Sequence, residues 1–286
     1  MTATFVPMLL LTIRRIVRMS TPQLTILIFF GSVPIWSQAN GLQDQLNSAY
    51  KGKNLFLRGF YSGNYLAYDR NGLLRGPGGG QGSWTLAKVE IRNLSVTAQG
   101  IDIVGDRMGM SYKAGKPTSI KVGKLKIHID GDAQSALDSV LPKVFVNPKE
   151  DLRPLLPNSW KYFTAGTDRK SRVAAWATDL QKDPIPPVDA TDVLAGKVKA
   201  PGAVSAPDPK YTKEAASERI AGVSVLSAVV DTAGGTKDVV IIQPLGMGLD
   251  EQAVIAVQHW HFTPASLNGQ AIPAKINIEI NFRCCP

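Results

Sequence analysis

The chain has few residues whose type and spacing could support chemistry. His259 and His261 form a His-x-His pair, but no third ligand follows at a spacing typical of zinc sites, so we predict two solvent-facing imidazoles. His128 lies on an alternating segment, which favours a residue on a polar strand face. Asp130 and Asp132 lack the glutamate of a calcium loop, and we predict that one of them caps a helix instead.

Two further motifs that carry chemistry are missing from the sequence. The glycine-rich run 76–82 lacks the Lys-Ser/Thr of a phosphate loop, so it predicts a turn. No Gly-x-Ser-x-Gly nucleophile motif occurs. Trp84, Trp160 and Trp176 are predicted to be core or domain-interface aromatics. The sequence therefore predicts no enzyme, no cofactor and no metal site.

Length and composition indicate a folded protein. The 286 residues are 44% hydrophobic, which is enough to fill one large core or two ordinary ones. Disordered chains are poorer in apolar residues, and disulfide scaffolds have more than the two cysteines present here. Those cysteines, Cys284 and Cys285, are adjacent, so they either stay reduced or pair between chains as a homodimer.

The N-terminal residues 1–39 are predicted to be an export signal. They contain Arg14, Arg15 and Arg18, no acidic residue, the apolar run 24–36 and a small residue, Ala39, at the expected cleavage point. A membrane-spanning helix needs about 20 residues, so this run favours cleavage, with a retained inner-membrane signal-anchor as the alternative. Either case predicts a periplasmic protein, with the arginines on the cytoplasmic side if the segment is retained.

The formal net charge of +9 is concentrated in the middle of the chain. Residues 40–208 contain 23 basic and 16 acidic side chains. The densest basic run consists of Lys113, Lys116, Lys121, Lys124 and Lys126. It could be a patch for an anionic envelope component, but alternation with apolar residues favours a solvated strand face. Export argues against a nucleic-acid partner.

Residues 42–180 predict a β-rich domain of unknown function, either a sandwich or a partly open barrel. A helix is expected over 42–50 and another over 132–141. Short alternating segments separated by turn residues predict strands over 54–61, 64–69, 83–92, 101–104 and 118–129. Residues 181–208 follow as a Pro- and Ala-rich linker.

Residues 209–286 predict a smaller α+β domain. Helices are expected over 211–220 and 249–259. Strands are expected over 223–231 and 237–243, joined by a Gly-Gly hairpin, and one long half-buried strand over 272–282 ends the chain. Trp260 and Phe262 are predicted to be buried anchors of this domain.

This C-terminal region resembles the TonB C-terminal domain family. The most specific match is the stretch 246–251 (GMGLDE), followed by Trp260-His261-Phe262, Pro264-Ala265 and the closing Ile280-Asn281-Phe282-Arg283. The resemblance covers 209–283 and implies a three-stranded antiparallel sheet with helices packed on one face. Members with an energy-transducing role add a membrane anchor and a long Pro-rich spacer, from which this chain departs.

The resemblance also implies a binding mode, the addition of a receptor peptide to a sheet edge. We expect the last strand to be that edge, with partner-binding residues Lys275, Ile276, Asn277, Ile278, Glu279, Ile280 and Asn281. The expected partner is an outer-membrane TonB-dependent receptor or another envelope protein, with an inner-membrane proton-driven motor as a further partner if the N-terminus is retained. The alternative function is an envelope-binding module in which the basic residues 42–180 bind an anionic component.

Overall fold

The computed structural model of the chain describes residues 35–76, 82–146, 150–166, 168–180 and 196–284. Most of the predicted signal, most of the glycine-rich run, the first half of the predicted linker and Cys285 lie outside these residues. No helix among the described residues is both long and apolar enough to cross a membrane.

The N-terminal part begins with helix α1 (Ile35–Tyr50), which starts upstream of the predicted cleavage point at Ala39. Seven strands follow, and they form one sheet in the order β3-β2-β6-β5-β4-β1-β7. All neighbouring pairs are antiparallel except β2 and β6. The strands are β1 (Asn54–Leu57), β2 (Tyr65–Tyr68), β3 (Leu74–Arg75), β4 (Lys88–Thr97), β5 (Gly100–Lys113), β6 (Lys116–Asp130) and β7 (Phe145–Val146).

Apolar alternation gives this sheet one buried face. In β6, Leu125 and Ile127 are buried whereas Lys124 and Lys126 are exposed, as the alternating pattern predicts. Helix α1 is fixed to the sheet by a two-way amide contact, in which Gln43 Nε2 donates to the Leu94 carbonyl at 2.7 Å and accepts from the Val96 amide through Oε1 at 3.0 Å. The β-rich character is confirmed. Of the two predicted alternatives, a sandwich or a partly open barrel, the sandwich is wrong, because the seven strands form one sheet, and its edge strands β3 and β7 do not pair with each other among the described residues.

Helical turns connect the sheet to the C-terminal part. Helices α2 (Ala133–Ser135) and α3 (Leu141–Val144) flank the π-helical turn Ala136–Val140. The Asp132 carboxylate accepts from the Ser135 amide at 2.8 Å, which confirms that an aspartate caps this segment. After three 3₁₀ turns, Arg153–Leu155, Asn158–Trp160 and Phe163–Ala165, comes helix α4 (Arg169–Leu180).

Part of the predicted linker is regular structure. Strands β8 (Val198–Lys199) and β9 (Gly202–Ser205) lie within the 181–208 stretch and pair antiparallel with strands near the C-terminus. The described end of this stretch therefore extends the C-terminal part by two strands.

The C-terminal part has the predicted α+β architecture. Strands β10, β11 and β15 form an antiparallel sheet in the order β11-β10-β15, while β12 pairs with β9 and β13 pairs with β8 and β14. The elements are α5 (Lys213–Ser217), β10 (Gly222–Val230), β11 (Thr236–Gln243), α6 (Leu249–Gln258), β12 (His261–Thr263), β13 (Ala265–Leu267), β14 (Gln270–Ile272) and β15 (Ala274–Phe282).

Two predictions about the end of the chain need correction. The single strand expected over 272–282 is divided at Pro273, which lacks an N–H and separates β14 from β15. Phe262 is buried as predicted, but Trp260 is only half-buried. Its indole Nε1–H reaches the carbonyl of Pro207 at 2.9 Å, so the ring packs at the surface rather than in the core.

The two parts share one hydrophobic cluster, which includes Leu86 and Trp160 from the first part and Met247 and Leu249 from the second. They also share backbone hydrogen bonds. The Tyr112 amide donates to the Leu245 carbonyl at 2.9 Å, and the Met247 amide donates to the Met110 carbonyl at 2.8 Å. The segment before α6 thus lies beside the end of β5 as a short antiparallel bridge, with Ser111 opposite Gly246.

Glycine is required at position 246 of this bridge. Gly246 has φ +91°, and a Cβ placed there would lie 2.1 Å from the Met110 carbonyl oxygen. A Cβ on Gly109 would lie 2.2 Å from Met247 Sδ. The backbones of Gly246 and Met110 can approach this closely only because Gly246 has no side chain, whereas the Met247 side chain beside Gly109 is flexible and can shift.

We predict that Gly246→Ala destabilises the whole protein by roughly 2–4 kcal/mol, because it adds a backbone clash to left-handed strain. Urea unfolding measures the loss. Gly269→Ala is the matched control, since Gly269 has φ +84° but no atom within 4 Å of the added Cβ. That variant should lose about 1 kcal/mol from strain alone. Equal losses in the two variants would contradict the close approach.

The shared cluster gives a second prediction. If a specific protease site is placed within residues 181–195, the two fragments should remain associated after cleavage, because the cluster and the β5 bridge hold them together. Size-exclusion chromatography should show one peak under native conditions and two species in denaturant. Two native peaks would show that the parts are independent.

Candidate partner-binding edge

Strand β15 is an edge of the three-stranded sheet. It pairs with β10 at every position from Ala274 to Phe282, and no other described strand pairs with it. Its outer N–H and C=O groups therefore have no strand partner among the residues that the structure describes. An edge of nine residues is long enough to accept an extended peptide.

All seven predicted partner-binding residues lie on this strand, with alternating exposure. Asn277, Glu279 and Asn281 are exposed, Lys275 and Ile276 are half-buried, and Ile278 and Ile280 are buried. The apolar set faces helix α6, because Ile280 pairs directly with Ser224 of β10, whose hydroxyl donates to Asp250 of α6 at 2.7 Å. The polar set lies on the opposite side of the sheet.

That opposite side is covered by the N-terminal part. Tyr162 and Trp176 pack against Val229, Val240 and Ile242 in a second cluster. The guanidinium of the buried Arg172 donates to the Ile242 carbonyl at 3.1 Å. At the β15 end of this side, Arg169 Nη1 contacts Glu279 Oε1 at 3.0 Å. The resemblance implied helices on one face only, and here both faces are covered, while the outer edge of β15 has no strand partner among the described residues.

Two adjacent acidic side chains at the start of α6, Asp250 and Glu251, accept hydrogen bonds from neighbouring segments. Asp250 closes the preceding turn, since it accepts from the amides of Leu245 and Gly246 and from Ser224 Oγ at 2.7–2.8 Å. Burial raises the pKa of Asp250 to about 6, and these hydrogen bonds oppose that rise. Asp250 is therefore the link between the GMGLDE turn and strand β10.

Glu251 connects the C-terminal part to the N-terminal part. Its Oε1 accepts from Ser83 Oγ at 2.8 Å and from Trp160 Nε1 at 2.9 Å. Its Oε2 is buried with no hydrogen-bond partner. Burial, and then the charge of Asp250, raise the pKa of Glu251 to about 7. The Gly248 amide adds a nearby contact to Thr85 Oγ1 at 2.9 Å.

Aromatic rings surround this carboxyl group. Trp84 and Trp160 meet edge-to-face at 5.1 Å, and Phe163 lies 5.4 Å from each. Trp84, Trp160 and Trp176 are all buried, as predicted. The sequence did not predict that Trp160 donates to Glu251 or that Arg169 reaches Glu279, because each pair is separated by about 90 residues or more.

The basic run lies on a face of mixed charge. Asp106 is bound by both Lys121 Nζ at 2.8 Å and Arg92 Nε at 2.6 Å. His128 lies between Asp102 and Asp130, and its hydrogen bond with Asp102 is the main cause of its raised pKa. Interleaved charges of this kind are typical of a solvated strand face, and Lys121 is the member of the basic run for which an ion pair is seen among the described residues.

The remaining candidate residues are the two histidines of the His-x-His pair. His259 and His261 are both exposed, as predicted. Within the described ranges, no group of three or more His, Cys, Asp and Glu side chains is arranged to hold a metal ion.

Comparison with known proteins identifies the C-terminal part. Residues 207–284 match the family model of the Gram-negative bacterial TonB protein C-terminal, a transport-related and envelope-associated domain. The solution NMR structure of the Pseudomonas aeruginosa TonB CTD is 14% identical and covers 36% of this chain and 98% of its own, with a TM-score of 0.27. This structural likeness is too low to add to the family match. No curated protein matches the chain.

The raised pKa of Glu251 predicts a pH-dependent stability. A folded-state pKa above the ordinary value means that the folded protein binds the extra proton, so stability falls as the pH rises from about 4.5 to about 7. Glu251→Gln keeps an oxygen for Ser83 and Trp160 but cannot ionise. Between pH 5 and pH 8, the free energy of unfolding should fall by roughly 2–3 kcal/mol more in the parent than in this variant.

Because the charge of Asp250 contributes to the raised pKa of Glu251, the difference between the two proteins measures the titration of Glu251 together with its coupling to Asp250. Glu150→Gln, a change at an exposed glutamate, is the control and should show the pH dependence of the parent. Parallel curves for the parent and Glu251→Gln would show that Glu251 is not titrating in this range.

Proposed function

Because residues 207–284 form a TonB C-terminal domain, we propose that this domain binds an outer-membrane receptor or another envelope protein by adding a partner strand to β15. The observation that supports the proposal is the edge of β15, which has no strand partner among the described residues, in a sheet whose two faces are both covered. Main-chain hydrogen bonds would give affinity, and the alternating side chains would give selectivity. The role is one of binding and not of catalysis.

The wider proposal is that the protein is exported to the periplasm and takes part in energy-dependent transport across the outer membrane. The arginines and apolar run of residues 1–39 support export. If that segment is retained in the inner membrane, a proton-driven motor is the additional partner. The alternative role, anion binding by residues 42–180, has less support, because Lys121 of the basic run and the nearby Arg92 already pair with Asp106.

Photo-crosslinking in the bacterial envelope tests the binding edge. A photoreactive residue at the exposed Asn277 or Asn281 should give an adduct with an outer-membrane protein, because both positions lie along the proposed docking edge. The same residue at Leu73, which is 66% exposed in the N-terminal part, is the control and should not give that adduct. Mass spectrometry identifies the crosslinked protein. An adduct formed equally from Leu73 would contradict binding at β15.

Proline substitution tests whether the backbone makes the contact. Neighbouring N–H groups of a strand point to opposite edges, so Ile276→Pro and Asn277→Pro remove donors from different edges. The variant that removes an N–H facing β10 should lose the pairing with β10 and unfold. The other variant removes an N–H from the outer edge, so it should stay folded but no longer form the adduct. Asn277→Ala keeps the N–H and should keep the adduct. A folded proline variant that still crosslinks at the parent level would contradict strand addition.

A further inference from the structure

Helix α4 begins beside the proposed binding edge. Its middle covers the sheet through Val173 and Trp176, which pack against Val240 and Ile242 of β11. Its first residue, Arg169, lies at the other end of the covered face, where it contacts Glu279 of β15. The helix therefore belongs to the N-terminal part of the chain but borders an edge that belongs to the C-terminal domain.

A strand added to β15 would place half of its side chains next to this helix. Side chains alternate between the faces of a sheet, and directly opposite Cβ atoms on neighbouring strands lie about 4.5–5.5 Å apart. Every second side chain of the added strand would lie beside Lys275, Asn277, Glu279 or Asn281, on the α4 side. The remaining side chains would lie on the α6 side, next to Ile276 and Ile278.

Cations outnumber anions in the two segments that meet at the Arg169–Glu279 contact. The cations are Arg169 and Lys170 of α4, Lys275 of β15 and Arg283 just after it, and the anions are Glu279 and Asp168. The Asp168 carboxylate already accepts from both the amide and the hydroxyl of Ser171 at 2.7–2.9 Å. Arg169 and Glu279 are both well exposed, at 40% and 60%, so their ion pair exchanges partners at little cost.

We propose that Arg169 at the start of α4 extends the binding edge and selects a partner strand with Asp or Glu on its α4-facing side. An acidic side chain of the partner takes the place of Glu279 beside Arg169, while apolar side chains face α6. The N-terminal part of the chain thereby contributes to recognition by the C-terminal domain. This inference rests on the proposed strand addition at β15.

Two synthetic nine-residue peptides test the inference with the full-length chain. Both alternate Val with polar residues, and they differ only in having Glu or Lys at two polar positions. Fluorescence anisotropy at low salt should show that the Glu peptide binds roughly five-fold more tightly. The preference should shrink at roughly 0.5 M salt, because the contact is exposed and screened.

Charge variants assign this preference to α4. Arg169→Glu should abolish or reverse it, and Glu279→Gln should increase it by freeing Arg169. Arg153→Glu makes the same charge change at an exposed residue whose ion pair is with Asp151, so it is the matched control and should keep the parent preference. Thermal unfolding checks that each variant is folded, and Arg169→Gln replaces Arg169→Glu if the latter is not.

The outcomes separate the two proposals. Equal binding of both peptides to the parent and to the Arg169 variant would overturn the role of α4 but leave strand addition in place. Equal effects of Arg169→Glu and Arg153→Glu would reduce the preference to net charge and also overturn it. Binding of neither peptide would contradict strand addition at β15 and the inference together.

Discussion

The contact between the turn before α6 and the end of β5 is the constraint on which the arrangement of the protein depends. The bridge between Ser111 and Gly246 joins the seven-stranded sheet to the C-terminal domain through two backbone hydrogen bonds. Backbone contacts at this distance are geometrically exacting, since even one Cβ at Gly246 would overlap the Met110 carbonyl. Because α6 starts three residues later, the bridge also fixes where the helix lies.

Asp250 and Glu251, the second and third residues of α6, contact different parts of the protein. Asp250 points back into its own domain and binds the amides of the turn, whereas Glu251 points across to Ser83 and Trp160. A buried carboxylate is costly unless it is hydrogen-bonded, and Asp250 meets this condition with both oxygens while Glu251 does so with one. The contact between the parts is therefore specific in geometry but sensitive to the protonation of a single side chain.

Sequence patterns predicted the elements better than their assembly. Alternation located β6 and β15, the GMGLDE stretch located the start of α6, and the resemblance located the last strand as an edge. Pro273 was visible in the sequence, yet its division of the last strand was not predicted. Contacts such as Arg169 with Glu279 depend on how distant segments pack, and no local pattern encodes a pair 110 positions apart. The composition of residues 181–208 predicted a linker and missed β8 and β9, because strands of two and four residues are too short to show an alternating pattern of apolar and polar residues.

The covered faces limit how a partner can meet the C-terminal sheet. Helix α6 occupies one face, and Tyr162 and Trp176 occupy the other, so a partner that approached a face would first have to displace a packed aromatic cluster. The β11 side is also engaged, since Arg172 binds the Ile242 carbonyl. Among the described residues, β15 is the strand of this sheet that offers backbone groups without such displacement. In the proposed strand addition, the N-terminal part would direct a partner to β15, because it covers the opposite face of the sheet and contacts β11.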